Sequence, residues 1–541
     1  MKYSIFACLL AVCACTPEPD LTLPIYTVAA EPSFRIDPRL FGGFFEKATW
    51  NGEIGSEAAI SRQTGELLPE VVEYVEWMNV PVLRYPGGTA IDYYPWYYLI
   101  DRYPRTGQTR RPPNRHWREP DKTKDIVTSD GRMGLHEFID FCRAVGSEPL
   151  LVVNLGDAFY EKRDLDTAAR ELGAEWVHYC NDTVGEWADL RTANGHPEPF
   201  GVRYFQIGNE TWLFDGYAPE ARTGAAARRY ADAVTTYARA MRAADPSIEL
   251  IIDGAEGLSA HIDPALVDYQ TFHVYAPWGI GEYRRDGAVV PVDSLDRAAV
   301  WRALVAAPNI DPETGFSQLV DPIFDAVDGP LAVTEWNYNT WFMGYAKRLR
   351  PDNPLLAYGI GAAGLLHALM RRGDRIKIAN QSMLVGTGWN ITSIRVDTTE
   401  TERPVFYPSG LLTGLYSREH GTNFHSLGVR NAHIYANPLQ INGMGPHPRV
   451  AEQDVVVTSD AEHYYAHVVN RSFDRERELV FEFPDAVDRD VEMFVVSDHV
   501  TSSRSRGAAL DTVYFRFTEP QPHVYVPARS ISVVRFDRRP E

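Results

Sequence analysis

Short apolar runs that end on a polar residue alternate along this chain with stretches whose apolar residues recur every 3.6 positions or so. From Leu40 onward the order repeats. It predicts strands at Leu40–Glu46, Val80–Tyr85, Pro149–Asn154, Val202–Glu210, Glu249–Gly254, Gln270–Tyr275, Leu331–Glu335 and, with the weakest pattern, Ile376–Gln381. The clearest helical spacings cover Leu67–Met78, Leu135–Val145, Ala168–Val184, Ala221–Ala244 and Pro354–Met370. Strands alternating with helices pair in parallel, and eight such units close a (β/α)8 TIM barrel of the α/β class. Around Leu411 the helical spacing gives way to short alternating strands, from Val455–Thr458 to Ser530–Phe536, which read as a C-terminal β-sandwich. Leu23–Ala30 reads as one more strand, ahead of the barrel and paired with a distant sheet. The expected division is 1–14 leader, 15–35 tether and N-terminal strand, 36–410 barrel and 411–541 sandwich.

The first residues change the picture. Met1-Lys2, the apolar run Ile5–Val12 and small residues after it have the layout of a secretory leader and are too short to span a membrane. Val12-Cys13-Ala14-Cys15 resembles a bacterial lipobox, which makes Cys15 the lipidated first residue of the mature chain; an ordinary leader with incidental cysteines is the plain alternative. Export across the inner membrane is expected, to the periplasm or to an outer-membrane anchor. Beyond Cys15 only Cys142 and Cys180 remain, both in the helical patterns Leu135–Val145 and Glu175–Trp187, where free core cysteines are the ordinary reading. With no CxxC, no paired Cys/His spacing and no HExxH, no metal and no cofactor are expected. A net charge of −20 without a basic stripe argues against a nucleic-acid partner. Twelve Trp and 28 Tyr suit a carbohydrate partner, although a large β-rich enzyme is aromatic anyway. The oligomeric state is left open, a homo-oligomer included.

The chemistry gathers at strand ends. In a barrel the carboxyl ends of the strands face one mouth, where ligands bind. Each predicted strand carries a polar group there, among them Glu46, Arg84, Asn154, Asn209, Glu210, Asp253, His273, Tyr275 and Glu335. One such residue is a cap or a salt-bridge partner; a whole ring of them points to a site. Glu210 and Glu335 are the strand-end Glu pair flanked by Trp, at Trp212 and Trp336. Cleaving a glycosidic bond needs a proton donor for the leaving oxygen and a second carboxylate on the opposite face of the sugar. Apolar neighbours would keep the donor protonated. His273 and Tyr275 would orient the nucleophile, Arg84 would hold its charge or a sugar hydroxyl, and Asn209 suits the hydroxyl beside the reacting carbon. Taken singly, Arg84 reads equally as closing the barrel against Glu46, and His273 as a satisfied core histidine. The long aromatic loop Ile91–Gly134 is either a substrate wall or packing against the barrel.

The ordered set Leu83-Arg84-Tyr85-Pro86-Gly87-Gly88, Gln206-Ile207-Gly208-Asn209-Glu210, Phe272-His273-Val274-Tyr275 and Thr334-Glu335-Trp336-Asn337 resembles glycoside hydrolase family 51, as do Phe44-Phe45-Glu46 and Trp176–Asn181. The resemblance covers most of residues 25–540. It implies a clan-A barrel with a β-sandwich, retaining chemistry and, most often, α-L-arabinofuranosidase activity. It makes Glu210 the acid/base and Glu335 the nucleophile, with Glu46, Arg84, Asn209 and Tyr275 around the terminal sugar. His273, Trp336, Asn154, Asn380 and Gln381 complete the candidate substrate-binding set. Two departures bear on the sugar. Pro86-Gly87-Gly88 continues as Thr89-Ala90-Ile91-Asp92 where the family has Asn or Cys and an aromatic. Met383 stands where the family has Gln. The reading is a retaining exo-glycoside hydrolase that releases terminal arabinofuranosyl residues. Another clan-A activity (endoglucanase, β-xylosidase, other furanosidase) is the alternative, and a non-catalytic glycan-binding lipoprotein comes last because both carboxylates are present.

Overall fold

The structure is a computed structural model that describes residues 22–47, 53–88, 91–92, 94–116, 126–129, 131–160, 162–211, 225–254, 261–339, 342–442 and 444–539. The leader, Cys15, Thr89 and Trp212 lie outside the described residues. Eight strands close into a barrel: Gly42–Phe44, Val82–Tyr85, Glu148–Val153, Tyr204–Ile207, Glu249–Asp253, Tyr269–Tyr275, Leu331–Asn337 and Ile376–Gln381. Each pairs in parallel with the next, and the eighth closes on the first through Asn380 opposite Gly42 and Gln381 opposite Gly43. Parallel strands covered on both faces must be apolar throughout, so only their ends are free to be polar. That is why the strand ends stood out in the sequence.

The helices follow the apolar spacing with one break. Leu135–Val145 and Pro354–Met370 form as predicted, and Pro69–Met78 and Ala225–Ala244 lie within the predicted ranges. The predicted helix Ala168–Val184 does not run through. Ala169–Ala174 is a π-helical turn, Glu175–Asn181 returns to α geometry, and the chain leaves the helix at Asp182 with ψ 137° before a second helix, Glu186–Ala193. The Glu175–Trp187 pattern around Cys180 is thus two helices, with Gly185 at φ +94° between them. Cys142 and Cys180 are buried and free. In the loop after the second strand, Tyr94, Trp96 and Tyr97 are buried, and the Trp96 ring stacks on Trp176 at 6.1 Å. Those aromatics pack the loop onto the barrel, while Tyr98 is exposed and Tyr93 and Trp117 lie outside the described residues.

Helical structure also persists past the expected boundary at 411. A last helix, Pro408–Arg418, is buried along ten of its eleven residues between the barrel and the sheet behind it. A helix covered on every side has no polar face, so its sequence shows no stripe. After it come two packed sheets. Seven strands in the order 34–35, 423–425, 453–459, 463–470, 530–538, 487–497 and 509–516 form one; the other has the order 427–430, 25–28, 477–482 and 523–526. Tyr26, Val28, Val455, Val457, Tyr464, Phe481, Val534 and Phe536 fill the space between them. The alternate residues Val456, Tyr465 and Val533 turn the other way and join the core of the barrel.

The two domains are locked by a buried charge cluster. Asp454 of the larger sheet accepts hydrogen bonds from His367 Nδ1 (3.0 Å) and Arg371 Nη2 (2.5 Å), with Arg471 Nη2 at 3.7 Å. Burial alone would raise the Asp454 carboxyl, but Arg371, the His367 hydrogen bond and Arg471 outweigh it and hold it far below its ordinary value.

Candidate active site

One hydrogen-bonded cluster joins six of the predicted residues at the carboxyl ends of the second, fourth, sixth and seventh strands. Arg84, fully buried, donates from Nη1 to Glu335 Oε1 at 2.8 Å, from Nε to Gln206 Oε1 at 3.0 Å and from Nη2 to Asn209 Oδ1 at 2.5 Å. The Tyr275 hydroxyl donates to Glu335 Oε2 at 2.7 Å. His273 Nδ1 lies 2.9 Å from Glu210 Oε1 and 3.5 Å from Glu335 Oε1, while its Nε2 lies 3.1 Å from Thr334 Oγ1. Arg84 therefore serves the Glu335 carboxylate rather than the barrel closure against Glu46. Of the two predicted orienting groups, Tyr275 holds Glu335, whereas the close hydrogen bond of His273 goes to Glu210.

The two carboxyls are pushed apart in acidity. For Glu335, burial alone would raise the pKa, but His273, Arg84 and the Tyr275 hydroxyl outweigh it and hold it below 4.5. For Glu210, burial raises it above 4.5, with the charge of Glu335 adding to the rise against the pull of His273. Burial would lower His273, yet Glu335 and Glu210 outweigh it and raise it above its ordinary value. A carboxyl of raised pKa beside one of lowered pKa is the division of labour that acid-assisted displacement needs. Glu46, itself buried, is a third carboxyl. Burial and the charge of Glu335 push it well above the carboxylate range.

The other candidates divide. The Asn209 Nδ2 donor is buried without a protein partner among the described residues, a donor kept for something else. Asn380 donates from Nδ2 to Gly43 O at 3.1 Å, and its Oδ1 has no partner among the described residues. Gln381 accepts from Ser393 Oγ (3.2 Å) and Thr413 Oγ1 (2.5 Å), which ties the eighth strand to the final helix. Asn154 does not join the site: its Nδ2 donates to Tyr94 O at 3.0 Å and its Oδ1 accepts the Asp157 N–H at 3.0 Å, so it holds its own loop. Trp336 is fully buried in the seventh strand and forms no exposed wall. Met383 is fully buried, an apolar group where the family pattern has an amide.

Sequence reasoning missed Glu53. Its carboxylate accepts backbone N–H groups from Ile54, Gly55, Thr387, Gly388 and Trp389, at 2.5 to 3.2 Å, and so straps the loop after the first strand to the loop after the eighth. A Glu in a loop carries no signal of this in the sequence. One ligand atom each from Glu210, His273 and Glu335 lies within 4.8 Å of the others, the number of ligands a cation would take. All three already have protein partners, and the Arg84 guanidinium 2.8 Å from Glu335 opposes a second cation there.

A closed parallel barrel with two unlike carboxyls at its mouth has the layout that glycoside hydrolysis uses. The sequence profile described as the alpha-L-arabinofuranosidase 1 domain matches residues 74–282. The chain is similar to alpha-L-arabinofuranosidase C of Emericella nidulans, 31% identical over 241 residues, which are 44% of this chain and 41% of that protein. It is also similar to an intracellular exo-alpha-(1->5)-L-arabinofuranosidase of Halalkalibacterium halodurans, 27% identical over 392 residues, 66% of this chain and 69% of that one. The chain thus spans less than half the length of the fungal relative it matches. Among solved structures, a family 51 alpha-L-arabinofuranosidase from Bifidobacterium longum superposes with a TM-score of 0.67 over 97% of this chain and 100% of its own, at 20% identity; that likeness speaks for the fold. The chain is thus similar in sequence to alpha-L-arabinofuranosidases over part of its length and shares the fold of a family 51 structure.

Proposed function

We propose that the protein is a retaining exo-glycoside hydrolase that releases terminal α-L-arabinofuranosyl residues from polysaccharides or oligosaccharides. The observation that carries the reading is the approach of Glu210 and Glu335, whose nearest ligand oxygens lie within 4.8 Å. Carboxyls about 5 Å apart leave no room for water between them and the sugar, so the second attacks directly, whereas inverting enzymes need roughly 6.5–9.5 Å. Glu335, held ionised, attacks the anomeric carbon; Glu210, held neutral, protonates the leaving oxygen. Glu210, now ionised, then takes a proton from the water that releases the sugar. Arg84 and Tyr275 aim the nucleophile, and the spare Asn209 donor faces the neighbouring hydroxyl. The sugar and the exo action are supported by the activities named for the fungal and bacterial relatives.

A panel of nitrophenyl α-L-arabinofuranoside, β-D-galactofuranoside, β-D-xyloside and β-D-glucoside tests the sugar, and proton NMR of the first product formed tests the stereochemistry. Cleavage of the arabinofuranoside with retention is expected; an inverted first product sinks the double displacement. One feature favours the other clan-A readings: Met383 offers no amide to the sugar. Preference for the xyloside, the glucoside or the galactofuranoside would move the assignment there.

The pH profile of kcat/KM follows from the two carboxyls. Activity is expected to rise with pH through a value below 4.5 as Glu335 ionises, and to fall through a value above 4.5 as Glu210 loses its proton. Glu210→Gln should erase the alkaline limb and keep the acid one. A wild-type profile without an alkaline limb would count against Glu210 as the acid.

Lipidation at Cys15, with export to the periplasm or an outer-membrane anchor, is part of the same proposal. It is supported by the leader pattern alone. Metabolic labelling with palmitate is expected to mark the wild type and not Cys15→Ala; an unlabelled wild type would leave an ordinary leader.

A further inference from the structure

Two more buried carboxyls flank the residue proposed as the proton donor, and the chemistry above uses neither. Asp92 and Asp253 are 0% and 1% exposed, and each keeps one carboxylate oxygen without a partner among the described residues. Asp253, at the end of the fifth barrel strand, accepts two hydrogen bonds on Oδ2, from Thr211 N at 2.7 Å and Thr211 Oγ1 at 2.6 Å. Its own N–H donates to the Tyr230 hydroxyl at 3.0 Å. Asp92, in the loop after the second strand, accepts the N–H groups of Leu155 (3.1 Å) and Gly156 (3.3 Å) on Oδ1, and the Asn209 backbone also stabilises its charged form. The three residues Asn209, Glu210 and Thr211 are therefore gripped from two sides, each time by an aspartate from a different barrel unit.

The turn needs a grip. Glu210 has φ +47°, in the left-handed region that an ordinary side chain rarely adopts. Gly208, at φ +79°, makes the turn passable: a Cβ there would lie 3.0 Å from Thr211 and 3.1 Å from Leu155. Gly156 makes the second grip passable, since its Cβ would come within 2.3 Å of the Asp92 carbonyl oxygen. Charge works in the same direction. Burial, with the Asp253 charge adding, lifts Asp92 to about 8, and the Asp253 charge also adds to the rise of Glu210. Glu335 is held by Tyr275 and by Arg84, and Arg84 meets the turn only at the Asn209 side chain.

We propose that Asp253, through Thr211, and Asp92, through the backbone at 155, 156 and 209, are positioning residues that fix the strained turn bearing Glu210 and so set how well the leaving oxygen is protonated. This rests on Glu210 as the proton donor. It predicts a defect weighted towards proton donation, because the grip bears on the backbone that carries Glu210, while Glu335 keeps its bonds to Arg84 and Tyr275.

The test is a leaving-group series. The wild type, Asp253→Ala, Asp253→Asn, Thr211→Val, Asp92→Leu and Glu210→Ala would be assayed on aryl α-L-arabinofuranosides from dinitrophenyl to unsubstituted phenyl. A positioned general acid is worth about 10²–10⁴-fold, so a misplaced one should forfeit roughly 10–10²-fold where protonation matters. Asp253→Ala and Asp92→Leu are expected to lose that on the phenyl glycoside and less than about 3-fold on the dinitrophenyl glycoside. Thr211→Val should show the same slope more weakly, and Asp253→Asn should recover part of it, because an amide oxygen still accepts from Thr211. An equal loss on every leaving group, or none, overturns the proposal. Should Asp253→Ala and Asp92→Leu fail to fold, the slope for Thr211→Val decides, since that change removes only the hydroxyl bond. A wild type that cleaves a different glycoside overturns the sugar assignment alone, and the series is then run on that sugar. A wild type inactive on the whole panel overturns both.

Discussion

Glu335→Gln is expected to lower kcat by roughly 10⁴-fold or more on every aryl arabinofuranoside, whatever its leaving group, as loss of a catalytic nucleophile does elsewhere. An amide cannot form the glycosyl ester, and it removes the one low-pKa carboxylate of the cluster. The fold should survive the change. Arg84 keeps Gln206 and Asn209 as acceptors, and Glu46, whose high pKa owes part of its rise to the charge of Glu335, can ionise in its place. Single-turnover kinetics beside a melting curve check both halves: turnover lost without a burst, and a folded protein. A variant that still shows a burst of phenol would remove Glu335 from the nucleophile's role.

Glu210→Ala should behave differently. On poor leaving groups a loss of about 10²–10⁴-fold is expected, the usual worth of a general acid. With a dinitrophenyl glycoside the first step needs no proton, so a burst should appear and be followed by slow release, because the base for the second step is missing. Azide, which needs no base, should then restore turnover and yield an arabinofuranosyl azide of retained configuration. Burst kinetics with and without azide read this directly. A uniform loss without azide rescue would place the acid/base elsewhere, with His273, 2.9 Å from Glu210, the first residue to examine.

Much of this was legible in the chain because a barrel strand buried on both faces can be polar only at its end. Glu210, Glu335, Arg84 and Tyr275 break otherwise apolar runs, and the structure brings them together, Glu210 through His273. The same rule misread Asn154. A strand-end Asn three residues before Asp157 is also a local cap, and that is how its Oδ1 is used. Nothing in the sequence marks Glu210 as left-handed; Gly208, two residues earlier, is the only hint. Asp253 was visible as a strand-end acid without a role, and Asp92 was lost among loop aromatics, because what each one grips comes from a distant stretch of chain. The helix Pro408–Arg418 escaped for the opposite reason to the strands: with both flanks covered, it has no periodic face to read.

The strand Ile25–Val28 has a consequence for the order in which the molecule can be assembled. It lies between Leu427–Arg430 and Arg477–Glu482, so its first partner is made 399 residues (427 − 28) later. Until then Tyr26 and Val28 have no sheet to enter, and the barrel must close while the start of the chain waits. The sandwich is completed by both ends of the polypeptide at once. A catalytic barrel cut away after Arg418 would carry an orphan strand, and a sandwich made alone would lack a central one. The two domains are separable on paper and a single unit in synthesis.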